Sequence, residues 1–113
     1  MQKYVITNIA IDYDGRRLHR IRAVRDFGLI KAGDLGGFIE KEDNLSHGGT
    51  SWVWGNSKAC GGARVTGHAM LSEGAVIRDQ VYLRDCAIVK GAGGVIRGRE
   101  TISGYTIMDK GND

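Results

Sequence analysis

The stretch GGARVTGHAMLSEGAVIRDQVYLRDCAIVKG, Gly61 to Gly91, decides the fold. Its apolar residues Val65, Leu71, Ile77, Leu83 and Val89 stand six apart. That interval fits neither the 3.6-residue turn of an α-helix nor the two-residue alternation of an ordinary strand. Extended upstream, the frame reads Val53, Ala59, Val65, Leu71, Ile77, Leu83 and Val89. In a chain that is 42% apolar, seven successive hits arise by chance with a probability of roughly 0.002. Four residues after each comes a second series, Ser57, Ala63, Ala69, Ala75, Val81, Ala87 and Gly93, nearly all small. Between the two series stand turn formers or polar residues, such as Gly55-Asn56, Gly67-His68 and Asp79-Gln80. After Gly93 the frame slips by about one residue and resumes at Ile96, Ile102 and Met108.

Such a repeat describes a triangular solenoid. Each unit is a short strand and a tight corner, three units close a coil, and coils stack about 4.8 Å apart by parallel pairing. The aliphatic residue fills the interior, the small one sits near a corner, and Gly, Asn or Asp tolerates the positive φ of the corner. This pattern resembles the hexapeptide-repeat family of left-handed β-helices. The segments RIRAVRDFGLIKAGDLGGFIEKEDNLSHGG (Arg20 to Gly49) and WVWGNSKACGGARV (Trp52 to Val65) resemble the head of the YdcK-like hexapeptide-repeat proteins, which occur in bacteria and often in phages and prophages. The resemblance implies an all-β fold, a left-handed parallel β-helix of about 3–4 coils. The left hand comes from the resemblance, because ordinary parallel crossovers are right-handed.

The N-terminal third has a different pattern. KYVITNIAIDYDGRRLHRIRAVRDF reads as two strands around Asp14-Gly15, a strong hairpin signal. Residues 1–38 are expected to form a hairpin and capping loop that hide the open end of the first coil, and 39–113 the β-helix, in one compact unit. Ile39 and Leu45, also six apart, open an irregular first coil. The 113 residues hold eighteen glycines, no proline and two cysteines, with a net charge of +3. No apolar run suits a membrane span, and the start MQKYVITN lacks a secretory core, so a cytoplasmic location is expected. Cys60 and Cys86 make no disulfide framework, which fits a reducing compartment.

Stacking turns the sequence into a surface map. The outward column Met70, Ile88 and Ile107 is apolar throughout, which points to burial against another chain. The resemblance implies trimers with parallel coil axes, and a dimer is the alternative. The corner column His68, Cys86 and Tyr105 reads as belonging to that interface. It has no third metal ligand in register, so no metal is expected. Arg64, Arg78, Arg97 and Arg99 crowd the exterior, as a site for an acidic partner, a phosphate or a nucleotide, or as charge that blocks further strand pairing. The same choice applies to Arg16, Arg17, Arg20, Arg22 and Arg25 on the second hairpin strand. Trp52 and Trp54 flank Val53 and point outward. They read as anchors for a partner or as a small second core, with one of the two expected in the core.

The resemblance also brings in acyltransferases, which use a histidine as general base with coenzyme A along the coils. His68 is the one histidine of the regular repeat. The chain has few coils, no extended loop to close a site, and no second acid or base near His68. The family's zinc carbonic anhydrases need three histidines, and His19, His47 and His68 do not match that arrangement. The sequence therefore reads as a non-enzymatic binding protein without a cofactor. The resemblance suggests a phage or prophage accessory protein that docks on a host protein, such as an inhibitor of a defence system. An acyltransferase-like enzyme and a structural or assembly protein are the alternatives, and a nucleotide or nucleic-acid partner has weaker support.

Overall fold

The six-residue period becomes a three-sided parallel β-helix. The computed structural model describes residues 2–91 and 94–104 with their side chains, and the backbone of 107–109. Thirteen strands follow in order: β1 (Tyr4–Tyr13), β2 (Arg16–Ala23), β3 (Leu35–Ile39), β4 (Trp52–Val53), β5 (Lys58–Ala59), β6 (Arg64–Val65), β7 (Met70–Ser72), β8 (Val76–Ile77), β9 (Tyr82–Leu83), β10 (Ile88–Lys90), β11 (Val95–Ile96), β12 (Thr101–Ile102) and β13 (Ile107–Asp109). One face stacks β3, β5, β8 and β11, a second stacks β6, β9 and β12, and a third stacks β4, β7, β10 and β13. About four coils result, as a left-handed parallel β-helix.

The regular coils take eighteen residues, with Trp52 over against Met70, Lys58 against Val76, and Arg64 against Tyr82. The irregular first coil is longer, pairing Phe38 with Lys58 and Leu45 with Val65. The expected slip after Gly93 is one extra residue between β10 and β11, so that Val76 pairs with Val95. Inside the tube, Val53, Ala59, Val65, Leu71, Ile77, Leu83 and Val89 are fully buried, as is the small series from Ser57 to Ala87. A Leu-to-Ala change in such an interior leaves a cavity costing about 2–5 kcal/mol.

Three corners place non-glycine residues at positive φ: Glu73 (57°), Asp79 (61°) and Asp85 (56°). That conformation costs an L-residue about 1–2 kcal/mol. Asp79 and Asp85 offset it, because each carboxylate accepts the backbone N–H one coil above, from Gly98 and Gly104 at 3.1 Å. The Gly98 N–H also holds the Asp79 carboxyl below the usual carboxylate range. Glu40 makes the equivalent bond at a lower coil, accepting the Gly61 N–H at 2.8 Å. Buried Asn44 completes the first coil: its Oδ1 accepts from the Glu40 and Lys41 amides, and its Nδ2 donates to the Gly61 and Ala63 carbonyls.

The hairpin turns at Asp14 (φ 50°) and Gly15 (φ 74°), the mirror-image turn expected of an Asp-Gly pair. β2 pairs antiparallel with β3, and β3 pairs parallel with β5. The cap therefore continues the first face as one sheet, and the division at residue 38 falls inside β3, a strand shared by hairpin and helix. At its base, Tyr4, Ile21, Phe27 and Ile30 join the interior cluster through Trp52. Gly36 lets these layers meet, since a Cβ there would stand 2.7 Å from Ile21, Trp52 and the Val53 carbonyl. The hairpin tip bends over the first face. Arg78 donates to Asp14 at 2.6 Å, Arg16 pairs with Glu40 at 3.0 Å, and Leu18, Phe38 and Cys60 form a second small core beneath.

Glu40 therefore ties the tip to the first corner. The Gly61 N–H, with Arg16 second, holds its carboxyl below the usual range. A depressed folded-state pKa means stability present above the unfolded value and lost as pH falls through the folded one. Glu40→Gln is expected to cost about 1–2 kcal/mol near neutral pH in urea unfolding. The gap from the unsubstituted protein should close as pH drops below about 4; a gap independent of pH contradicts this role.

Candidate functional site

With the interior filled by hydrocarbon, chemistry is confined to outward columns and corners. On the third face the column runs Trp52, Met70, Ile88 and Ile107, in continuous backbone register. Trp52 at its base is 1% exposed, wedged edge-on against Phe27 at 5.2 Å and Tyr4 at 6.4 Å. Of the two tryptophans, read as partner anchors or as a small second core with one expected in the core, Trp52 is a core residue, because the cap closes over it. Trp54 is half-buried against the same cluster, and its indole N–H is buried without a hydrogen-bond partner among the described residues. Above Trp52, Met70 and Ile88 are half-buried. The side chains of Ile107 and Tyr105 lie outside the described residues.

His68 and Cys86 are exposed on the corner between the second and third faces. The His68 amide donates to the Asp85 carbonyl and the Cys86 amide to that of Gly104, which stacks the corner as expected. His68 Nδ1 lies 2.8 Å from Thr50 Oγ1, with no carboxylate bonded to the ring among the described residues. Among the described residues no group of three His, Cys, Asp or Glu side chains could hold a metal ion. The other two histidines are structural. His47 stacks on Tyr4 at 4.1 Å and pairs with Glu42 at 2.7 Å, and His19 bonds the Thr7 carbonyl.

The arginines divide into two groups. Arg78, read as a partner contact, is held by Asp14 and Asp79. Arg16, Arg17, Arg20, Arg25 and Arg84 likewise have protein partners. Arg22, Arg64, Arg97 and Arg99 are exposed, and no ion pair holds them among the described residues. Arg64 and Arg99 line a basin of about 640 Å3 on the second face, with Tyr82, Gln80, Thr101, Lys41 and Asp43. Sequence reasoning placed Arg64, Tyr82 and Thr101 in one column but missed Lys41 and Asp43. They reach the basin because the chain rounds this corner in a 3-10 turn, Glu42–Asn44, that buries Asn44 and leaves Lys41 and Asp43 exposed. It also missed the apolar surface of the cap, where Ile9, Leu29 and Leu35 are 51%, 81% and 52% exposed.

No family model matches the chain. Over 69 residues it is 35% identical to the Escherichia coli (strain K12) protein named uncharacterized acetyltransferase YdcK. The match takes in 60% of this chain and 21% of that protein, so the chain spans about a fifth of its relative's length. The solenoid and this match agree. The chain has the hexapeptide-repeat fold. Among the described residues no helix is long and apolar enough to cross a membrane.

The two thiols of the protein differ sharply. Cys86 is exposed, whereas Cys60 lies beneath the hairpin, where burial pushes its thiol pKa up. A thiolate is the reactive form. A thiol reagent such as dithionitrobenzoate should therefore titrate one group in the folded protein and two in guanidinium. Cys86→Ser should abolish the fast reaction. Rapid reaction of both groups in the folded state contradicts the packing of the hairpin on the first face.

Proposed function

We propose that this chain is a non-enzymatic binding protein that works as a homo-oligomer, a trimer or a dimer, assembled through its third face. The observation that carries the reading is the aligned column Met70, Ile88 and Ile107, apolar at a position where a solvated strand carries polar groups. The cap buries Trp52 at the foot of this column, and Met70 and Ile88 above it are half-buried. A second copy with a parallel coil axis would continue the burial along the column, with His68 and Cys86 at its edge. The host-target setting suggested by the phage resemblance rests on no residue of the structure and does not enter this reading.

The relative's name supports a second reading, acetyl transfer, in which His68 would be the general base. Its hydroxyl partner Thr50 can fix the ring but cannot stabilise an imidazolium as a carboxylate would. A subunit boundary along the neighbouring column would have to complete such a site.

Light scattering on the purified chain is expected to give a multiple of the 12.3 kDa protomer. Met70→Asp combined with Ile88→Asp should reduce it to a single protomer while circular dichroism stays β-rich. A monomeric unsubstituted protein overturns the assembly reading. Acetyl-coenzyme A turnover that disappears in His68→Ala overturns the non-enzymatic one.

A further inference from the structure

We propose that the basin on the second face, around Tyr82 and Gln80, binds a phosphate group carried by a small molecule. The β-helix lattice sets the arrangement. Arg64, Tyr82 and Thr101 stand one above another on β6, β9 and β12. Gln80 and Arg99 line the same basin from the adjoining corner, where the Gln80 amide donates to the Gly98 carbonyl one coil above. Arg64 therefore lies one rung below the Tyr82 level and Arg99 one rung above it. At about 4.8 Å per rung the two arginine backbones are roughly 10 Å apart along the axis. Both guanidinium groups can then close on one tetrahedral anion in front of Tyr82 and Gln80.

The chemistry suits phosphate. A guanidinium fork matches two phosphate oxygens at once, and the Tyr82 and Thr101 hydroxyls and the Gln80 amide add neutral donors around the anion. The ion-pair pattern is a separate observation. Elsewhere Arg16 pairs with Glu40, Arg17 with Asp12, Arg78 with Asp14 and Asp79, and Arg84 with Asp85, while Arg22 and Arg97 are exposed without an ion pair among the described residues. In this basin Arg64, Arg99 and Lys41 have no such partner among the described residues, although Asp43 lines the same hollow. Asp43 sets the polarity of a ligand. It repels an anion from the Lys41 end and can accept from hydroxyls there, which leaves the phosphate between the two arginines.

A volume of about 640 Å3 falls within the range of small-molecule sites, about 300–1,000 Å3. A nucleic-acid strand would need a longer basic track. Here the adjoining hollow on the same face is lined by Glu42 and Asp43 as well as Arg64. The basin lies at the edge of the face away from His68, so it depends on neither the assembly reading nor the acetyl-transfer reading.

Calorimetry with ADP, inorganic pyrophosphate and adenosine tests the site. Both phosphates should bind and adenosine should bind at least about tenfold more weakly, as expected for charge-assisted bonds. Tighter binding of ADP identifies an organic phosphate as the natural type, and tighter binding of pyrophosphate an inorganic one; either supports the site. Arg64→Gln with Arg99→Gln should weaken the phosphates about tenfold or more. Arg22→Gln, which removes an exposed charge on the hairpin, should leave them unchanged. Absence of phosphate binding at millimolar ligand overturns the proposal. So does equal loss in Arg22→Gln, or binding confined to oligoribonucleotides. Thermal melting of the variants, with exposed side chains altered, should match the unsubstituted protein.

Discussion

The constraint on which the structure depends is the vertical register of short parallel strands. A two-residue strand buries too little and bonds too little to persist alone. Stacked in columns, each strand gains backbone partners above and below, and its inward aliphatic packs on the same position of its neighbours. Val53, Leu71 and Val89 form one such internal column, with Ala59, Ile77 and Ile96 on a second face. The columns stay aligned only if every corner turns at the same place. Asp79 and Asp85 show how a corner is held without glycine: the carboxylate bonds the next coil and offsets the strained backbone.

A stack of this kind leaves an open end, and the cap resolves it by continuing the sheet. β3 serves as the first rung of one face and as the antiparallel partner of the hairpin. Edge protection is thereby coupled to the surface map. The hairpin tip consumes Arg78 and covers Cys60, while the base of the cap consumes Trp52. Buried Lys3 belongs to the same closure. Its ammonium donates to the Ser51 carbonyl and hydroxyl and to the Gly48 carbonyl, and burial, with Arg25 nearby, lowers its pKa to about 8. Still open to partners are the upper third face, the basin on the second face, the exposed corner with His68 and the apolar outer surface of the cap.

These remnants differ in chemistry. The third face offers hydrocarbon and suits a second protein chain. The basin offers unneutralised guanidinium groups and suits an anion. The His68 corner offers a ring with a hydroxyl partner and lacks the acid that would make it a strong base by itself. The similarity to a protein named as an acetyltransferase keeps that corner relevant, but the match extends over only a fifth of the relative.

By itself the amino-acid order determined the tube, its interior, its corners and the single-residue slip, because a period of six with small and turn-forming residues in phase admits one way of burying the aliphatics. The Asp14-Gly15 turn was readable for the same local reason. Only the tertiary structure decided which outward residues stay free. Trp52 and Arg78 looked like surface positions from their place in the repeat, and the cap, whose path over the faces no period encodes, removed them. Lys41 and Asp43 entered the basin for the converse reason: the first corner folds as a 3-10 turn around buried Asn44, a local irregularity that the six-residue spacing from Ile39 to Leu45 does not predict.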